Sequence, residues 1–334
     1  MKRAVLVFAA ALLLAAVGAV LSLRQSYRGF QADTFLQVER GTGGIEIGRI
    51  LQQAGVVRYA WQFWLERALS PGAKLQAGEY LFNRPATVPE VFSKLARGEV
   101  YYLEFPVPEG SNMFDIARSL EAAGVMPASD FLEAAANPKL ISDLAPAAKT
   151  LEGYLFPATY RLPHAIKAGT LCRLMTDQFR RQWKKLAADK QIDVHQIVTL
   201  ASLVEKETGV ASERPLVAGV FANRLNIGMR LDCDPTTIYA ALLDNRYHDA
   251  IHRSDLESEN PYNTYRHAGL PPGPIANPGA ESLAAAMNPA DTKYLYFVAK
   301  PNGGGHQFSA NLAAHQEATR EYRRGSGAAS KTAH

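Results

Sequence analysis

Two carboxylates stand at the end of an apolar stretch near the middle of the chain. Residues 197–208 are rich in Ile, Leu, Ala and Val, and they end in Glu-Lys-Glu-Thr with Glu205 and Glu207 as the acids. At about 100° per residue, the apolar side chains form one broad arc of a predicted helix. Glu207 falls inside that arc and Glu205 lies on its far shoulder. Helical geometry by itself favours neither acid strongly.

A carboxyl group held against apolar neighbours has a raised pKa, because burial disfavours its charged form. Such a group can donate a proton near neutral pH, and cleavage of a glycosidic bond needs a donor of this kind. The alternative is that both acids form structural ion pairs with Arg214, Arg224 or Lys206. Composition alone favours the alternative, because charged residues near helix ends are usually structural.

Other kinds of catalytic site find little support in the sequence. It contains no Gly-x-Ser-x-Gly, His-Glu-x-x-His or phosphate-loop motif. His248 and His252 have a helical spacing that suits zinc, but they lack an adjacent Glu and a third ligand. Cys172 and Cys233 have no metal-ligand spacing and are expected to remain free thiols. We therefore predict no metal site.

Composition sets the class of protein. The chain has 334 residues, of which 47% are hydrophobic and 20% charged, so it is globular and long enough for two soluble domains after an N-terminal segment. The net charge of +4 suits a membrane-proximal protein or an acidic polymer substrate. It is too small to indicate nucleic-acid binding, and no nucleic-acid role is predicted.

The N-terminal segment is a candidate membrane span. Residues 4–23 contain no charged residue, and as a helix they would be about 30 Å long, the thickness of a bilayer core. A cleavable signal peptide is the rival interpretation, since Lys2 and Arg3 form a positive start, but no clear small-x-small cleavage site follows. We predict a cytoplasmic tail at 1–3, a single transmembrane helix at 4–23 and the rest of the chain in the periplasm, at the inner membrane.

An internal repeat follows. Residues 38–57 resemble residues 107–126, and each copy predicts a strand, a turn and a helix. The shared signals are a glycine turn at Gly41 or Gly110, a helix N-cap at Thr42 or Ser111, and a closing Ala-Gly-Val.

Between the two copies the sequence predicts a helix at 60–69, a strand at 77–82 and a helix at 87–95 that stops near Gly98. Strand, helix, helix, strand is the order of small LysM-like modules that bind glycans. We therefore predict a LysM-like subdomain at 35–101. It would either bind glycan or act as a spacer that holds the following domain off the membrane.

The following region, residues 102–323, is predicted to be mostly helical, which makes the fold class α+β. Residues 294–299 are aromatic and bounded by turns, so they are expected to form the central strand of a small sheet. The tail 324–334 has no apolar periodicity and is predicted to be disordered.

A loop at 260–278 is dense in Pro, Gly, Asn and Tyr. Such loops often line binding sites, and Asn263, Tyr262 and Tyr265 offer hydrogen bonds and flat faces for sugar rings. A structural crossover is the alternative. His306, in the glycine-rich segment 303–308, is predicted to be either a turn residue or part of a groove wall.

Taken in order, several short motifs resemble one family. They are Glu-Lys-Glu-Thr at 205–208, Ser-Glu-Arg at 212–214, Asn-Arg-Leu at 223–225, Gly-Met-Arg-Leu at 228–231, Asp-Pro-Thr at 234–236, Tyr-Asn-Thr-Tyr at 262–265, Gly-Leu-Pro-Pro-Gly at 269–273, Gly-Gly-His-x-Phe at 304–308 and Leu-Glu-Gly-Tyr-Leu-Phe-Pro at 151–157. Their order and spacing resemble the endolytic murein transglycosylase (YceG-like) family across most of the chain. A membrane span followed by a LysM-like region is similar to the family's architecture.

The resemblance implies cleavage within peptidoglycan glycan strands by a lyase-type reaction that leaves 1,6-anhydro-N-acetylmuramic acid ends. It implies no cofactor, and it makes the Glu before Thr, Glu207, the essential acid and then base. A non-catalytic peptidoglycan-binding scaffold and a hydrolytic muramidase are the alternatives. Penicillin-binding proteins and other cell-wall synthases are the partners that the resemblance implies.

Motif membership and side-chain chemistry suggest the residues that grip the glycan or its peptide carboxylates. These predicted substrate-binding residues are Asn223, Arg230, Asn263 and Tyr265. The sequence departs from the family at two positions. Ala158 stands where an Asp is expected, and Cys233 stands where a small hydroxyl residue is commoner.

Overall fold

A computed structural model describes residues 2–187, 192–301 and 303–331. The fold is mixed α+β, mostly helical, with small two-stranded sheets, as the sequence predicts. The chain divides into two compact units. The first contains Met1–Glu104 and Arg161–Ala165, and the second contains Phe105–Tyr160 and Ile166–His334.

The first helix, α1, runs over Lys2–Leu23. Its 22 residues include a window with a mean hydropathy of 2.8, so it is long and apolar enough to cross a membrane. Its side chains are exposed along most of its length, and only Leu23 at its end is buried. That residue belongs to the hydrophobic core of the first unit.

After α1, the first unit has the predicted order of strand, helix, helix and strand, and a further helix follows. The elements are β1 (Thr34–Val38), α2 (Gly44–Gln53), α3 (Ala60–Leu69), β2 (Gly78–Phe82) and α4 (Val88–Arg97). β1 and β2 pair in antiparallel register, with Leu36 opposite Tyr80. Both of these side chains point into a core that Phe63 and Leu95 complete. α4 ends at Gly98, whose φ of 67° is the left-handed conformation that the predicted stop requires.

The two copies of the repeat form the same local structure. β1 leads into the first copy, which contains α2, and β3 (Leu103–Pro106) leads into the second, which contains α5 (Met113–Ala122). The turns use Gly41 and Gly110 at φ of 86° and 75°, and Gly55 and Gly124 close the helices at 68° and 67°. Each position needs a left-handed backbone, which explains why glycine recurs there.

The predicted N-caps of these two helices are wrong by one residue. The observed caps are Gly43, rather than Thr42, and Asn112, rather than Ser111. The Asn112 side chain accepts from the Asp115 backbone N–H at 2.9 Å, and the Asp115 carboxylate accepts from the Asn112 N–H at 3.2 Å. This reciprocal pair makes the later start the more favourable one.

The second unit is built around one buried helix, α8. Its helices after α5 are α6 (Ala128–Ala135), α7 (Ala168–Ala187), α8 (Val194–Glu207), α9 (Arg214–Asn226), α10 (Asp234–Leu243), α11 (Arg253–Leu256), α12 (Ala280–Met287) and α13 (Leu312–Lys331). Its strands are β5 (Tyr296–Ala299) and β6 (His306–Ser309), while β4 (Thr159–Leu162) pairs with β3. α8 packs against α9, α10 and α12, so neighbouring helices cover it on several sides.

Two predictions for the C-terminal part need correction. β5 is not central in a sheet, because within the described residues it pairs only with β6. α9 and α13 cover its aromatic side chains in place of a third strand. Residues 324–331 are helical and not disordered, because α13 continues to Lys331. An established helix extends at little cost, since nucleation is already complete. Residues 332–334 lie outside the described residues.

Candidate active site

α8 carries both acids, and bonds at its start and along its length fix its position. The Asp193 side chain caps its N-terminus by accepting from the Gln196 backbone N–H at 3.1 Å. Within the helix, the Ser202 hydroxyl donates to the Thr199 carbonyl at 2.7 Å and accepts from the Ile275 N–H at 3.1 Å. The second bond ties α8 to the Pro-rich loop 260–278. The helix thus presents its C-terminal turn to the rest of the unit in one position.

Glu205 is a structural residue. Its side chain is only 6% exposed and forms an ion pair with Arg214 at 3.4 Å. Its other carboxylate oxygen accepts from the N–H of Gly279, the N-cap of α12, at 2.9 Å. Arg214 also contacts Glu109, at 3.7 Å, and Glu281. For Glu205, the structure therefore shows the alternative considered from the sequence, a structural ion pair with Arg214.

Glu207 has different surroundings. It lines a cleft of about 410 Å³, together with Phe221, Arg224, Leu231, Asp232, Asp234, Tyr265, Tyr296, Phe297, Leu312 and His315. Arg224 and His306 act on it electrostatically, but in the described part of the chain their ion pairs are with Asp232 and Glu213. The carboxyl group of Glu207 therefore lines the cleft with no ion-pair partner among the described residues.

Burial is the main cause of a raised pKa at Glu207, and the negative charge of Asp234 adds to it. Hydrogen bonding from the Cys233 thiol and the positive charges of His306 and Arg224 act in the opposite direction. Burial has the largest effect, so the acid form persists to higher pH than in an ordinary glutamate. This is the property required of a general acid.

Cys233 is the direct neighbour of this carboxyl group. It is 1% exposed, and its thiol donates a hydrogen bond to Glu207. Burial and the charge of Glu207 raise the pKa of the thiol well above its usual range, so it stays protonated and keeps its donor. Cys172 is also buried, and both cysteines are free.

Tyr265 and Arg230, two of the predicted substrate-binding residues, lie at or next to the cleft. The hydroxyl of Tyr265 donates to Asp234 at 2.6 Å, which leaves the ring as part of the cleft wall. Arg230 is 56% exposed and pairs with Asp232 at 3.8 Å. Asp232 has a left-handed φ of 47°, which turns the chain at the cleft edge.

The other two predicted residues support the backbone instead. Asn263 is fully buried, and its amide donates to the carbonyls of Asp255, Leu256 and Ser258 while its oxygen accepts from the Tyr265 N–H at 3.1 Å. It therefore holds Tyr265 in place and has no surface for a glycan. The Asn223 amide donates to the carbonyls of Thr292 and Tyr294, at 2.7 and 3.0 Å, and links α9 to the segment before β5.

Several cleft residues were not predicted from the sequence. Arg224 and Asp234 belong to the short motifs, and that membership was a usable signal. No signal in the sequence pointed to Tyr296 or His315. Their rings stack at 5.0 Å, and burial together with Arg224 lowers the pKa of His315, which keeps it neutral. Its Nδ1 is buried without a hydrogen-bond partner among the described residues.

The other candidate side chains lie in structural positions. His306 lies on β6, where its Nδ1 pairs with Glu213 at 2.7 Å, so it is a strand residue rather than a turn residue. His252 is the N-cap of α11 and His248 lies in no helix, so their spacing is not helical. Within the described residues no cluster of three or more metal-ligating side chains occurs.

A second buried acid, Glu152, lies in the Leu-Glu-Gly-Tyr motif and is 2% exposed. It accepts from the Met113 N–H and the Asn277 amide, both at 2.9 Å, and it also bonds with Tyr239. Burial raises its pKa to about 7. It joins the start of α5, the segment before α12 and α10, and it does not line the cleft.

Comparisons with known proteins point to one family. A model of the YceG-like family matches residues 36–321. The chain is 32% identical over 311 residues to a protein of Bacillus subtilis (strain 168) named endolytic murein transglycosylase, which covers 86% of this chain and 84% of that protein. A protein of the same name from Streptococcus pneumoniae serotype 2 (strain D39 / NCTC 7466) is 29% identical over 320 residues, covering 85% of this chain and 57% of that protein.

A solved structure is similar as well. The crystal structure of a yceG-like protein from Listeria monocytogenes matches with a TM-score of 0.57 and 29% identity, covering 86% of this chain and 99% of that one. Five of the sequence motifs each contribute one side chain to the Glu207 cleft, namely Glu207, Arg224, Leu231, Asp234 and Tyr265. With the family model matching most of its length, the chain belongs to the YceG-like family.

Proposed function

We propose that this chain is an endolytic peptidoglycan lytic transglycosylase anchored in the inner membrane, with its bulk in the periplasm. The relatives' names support the general activity, and α1 supports the anchor. The observation that carries the chemistry is Glu207, whose carboxyl group lines the cleft with a raised pKa and a thiol as its hydrogen-bond donor.

The proposed reaction uses Glu207 twice. As an acid it protonates the oxygen between N-acetylmuramic acid and N-acetylglucosamine, and the bond from that oxygen to C1 breaks. The carboxylate then removes the proton from the C6 hydroxyl of the muramic residue. O6 bonds to C1, the 1,6-anhydro ring closes and Glu207 is protonated again. No water is consumed, and the muramic N-acetyl group steadies the charge that develops at C1.

Two side chains are proposed to contact the substrate. The ring of Tyr265 forms part of the cleft wall and suits stacking on a sugar face. The exposed guanidinium of Arg230 suits the carboxylates of the peptide stems. For Asn223 and Asn263 we propose positioning roles, because their amides are bound to the backbone that carries the cleft.

A hydrolytic muramidase is the second candidate, and one observation favours it. Asp232 and Asp234 place two more carboxyl groups in the same cleft as Glu207, and a second carboxylate is what a glycoside hydrolase uses to activate water. Mass spectrometry of products from purified sacculi separates the two reactions, because hydrolysis leaves each muramic end heavier by one water. We expect anhydro ends.

The variant that tests the proposed role of Glu207 is Glu207→Gln, which removes the proton donor and keeps the shape of the side chain. We expect a loss of about 10²- to 10⁴-fold in anhydro-ended products, the usual contribution of general acid–base catalysis. Glu257→Gln is the matched control, because Glu257 is a 60% exposed residue in a surface pair with Arg253. Undiminished cleavage by Glu207→Gln would overturn the proposal. Sacculus binding without soluble products from the unmodified chain would favour a non-catalytic scaffold.

Two further parts of the proposal rest on the resemblance. The strand–helix–helix–strand order supports a LysM-like module at 35–101 that binds glycan or acts as a spacer ahead of a catalytic domain at 102–323. Binding of the inactive Glu207→Gln chain to sacculi tests the glycan role. Penicillin-binding proteins and other cell-wall synthases are the proposed partners, and crosslinking in intact membranes tests them.

A further inference from the structure

Three exposed side chains surround the point where α1 ends. Arg58, Tyr59 and Trp61 lie at the start of α3, and we call them the aromatic patch. Tyr59 is 50% and Trp61 40% exposed, and their rings stack with centroids 6.4 Å apart. Arg58 is exposed and lies over the ring of Tyr27 at 5.1 Å. Amphipathic aromatic rings beside a cation are typical of the surface of a bilayer.

α1 is joined to this patch without a flexible linker. The Gln62 amide of α3 donates to the carbonyl and the hydroxyl of Ser22, at 3.3 and 3.2 Å. Leu23 is 2% exposed. Immediately after the helix, Tyr27 and Ala86 exchange backbone hydrogen bonds at 2.9 and 3.2 Å. The end of the helix is therefore fixed to the body of the first unit.

The length of α1 sets the depth of this junction. At 1.5 Å per residue its 22 residues span about 33 Å, against a hydrocarbon core of about 30 Å. A bilayer that covers the helix therefore reaches its last turn, at Ser22 and Leu23. The headgroup layer adds roughly 5–7 Å on each side. Gln62 contacts Ser22 directly, so its neighbour Trp61 falls within this layer.

A small pocket opens at the same place. It measures about 80 Å³, and its polar lining includes Ser22, Gln25, Ser26, Arg58 and Gln62. Its lining contains one cation, Arg58, and no acid. Hydroxyl and amide groups lie beside the guanidinium. This combination suits the phosphate of a lipid headgroup, which Arg recognises through paired hydrogen bonds.

We propose that the aromatic patch lies in the headgroup layer of the bilayer that α1 spans, with Arg58 contacting a lipid phosphate. The inference rests on the proposed membrane anchor. The patch then acts as a second contact with the membrane, and it holds the first unit in one orientation at the bilayer surface.

Tryptophan fluorescence in reconstituted full-length chain tests the proposal. The sequence has three Trp residues, so Trp64→Phe with Trp183→Phe leaves Trp61 as the single probe. Vesicles of phosphatidylethanolamine and phosphatidylglycerol contain a lipid brominated either near the top of its acyl chain or near its end. We expect a loss of Trp61 emission that is larger with the shallow bromine. A Trp183-only chain is the reference, because Trp183 is 7% exposed within the second unit.

Arg58→Glu in the Trp61-only chain tests the phosphate contact, and we expect it to reduce quenching by anionic vesicles. Arg49→Glu is the control, since Arg49 is 60% exposed on α2 and lies outside the pocket lining. Thermal melts check that each variant folds. Equal quenching in the Trp61-only and Trp183-only chains overturns the proposal. So does a Trp61 emission that responds to soluble glycan fragments and not to brominated lipid.

Vesicle flotation after carbonate treatment separates this failure from failure of the anchor. If the chain stays with the vesicles while Trp61 remains unquenched, the proposed contact of the patch with lipid is wrong and the proposed anchor stands. If the chain leaves the vesicles, both proposals are wrong.

Discussion

Glu205 and Glu207 lie on the last turn of α8, but their carboxyl groups have opposite environments. On one side, Arg214 and the N-terminus of α12 meet the charge of Glu205. On the other side, Glu207 faces a cleft where burial raises its pKa and the nearby cations are paired elsewhere. An ion pair holds a carboxylate charged and fixed, whereas burial without a pair leaves a carboxyl that can exchange a proton.

The largest effect is expected from breaking the paired side. Arg214→Ala leaves Glu205 buried without its cation, and such losses cost about 3–5 kcal/mol. We expect the free energy of unfolding, measured by urea titration, to fall by that order. Adding Glu205→Gln should recover part of the loss, because the stranded charge is then removed.

The control for this experiment is Arg253→Ala, which removes an exposed pair with Glu257 and should cost no more than about 0.5 kcal/mol. An Arg214→Ala chain as stable as this control would show that Glu205 does not depend on its cation. The proposed division between the two sides of α8 would then fail.

The sequence indicated much of this arrangement for identifiable reasons. Apolar periodicity and caps predicted most helices, and glycines that need positive φ located the turns at Gly41, Gly110 and Gly98. Placing Glu207 inside the apolar arc of α8 anticipated its burial. Helical position could not separate it from Glu205, because the partners of Glu205 come from α9 and from the N-terminus of α12.

Other features could not be predicted, because they depend on which element lies beside a residue. Asn263 has the chemistry of a sugar ligand, but its amide donates to the carbonyls of Asp255 and Leu256 on α11 and of Ser258. His315 enters the cleft from α13, far along the chain from the motifs. β5 looked central because it is aromatic, yet helices cover it rather than strands. Local patterns do not reveal which distant element supplies a neighbour.

Glu152 extends the comparison to an acid that is buried but structural. Its pKa is raised to about 7 from an ordinary value of 4.5, so its stabilising contribution is complete below about 4.5 and is lost as pH rises through 7. The difference corresponds to about 3 kcal/mol. We expect Glu152→Gln to flatten the fall in unfolding free energy between pH 4.5 and pH 8, measured by urea titration at each pH.

Glu133→Gln is the control for this measurement, because Glu133 lies on α6 and is not part of the Glu152 cluster. Its pH dependence should match that of the unmodified chain. A Glu152→Gln chain with the same slope as the control would mean that Glu152 does not take up a proton in this range.

The smallest effect is a shift in the pH profile of cleavage at Glu207. The Cys233 thiol donates to this carboxyl group and opposes the rise in its pKa. Cys233→Ala removes the donor, so the pKa should rise further and the alkaline limb of kcat/KM should move to higher pH. Cys233→Ser supplies a stronger donor and should move the limb to lower pH. Cys172→Ala removes the other buried thiol and should leave the limb unchanged. If both variants at 233 shift the limb in the same direction, the change reflects altered packing, and the hydrogen bond does not set the proton affinity of Glu207.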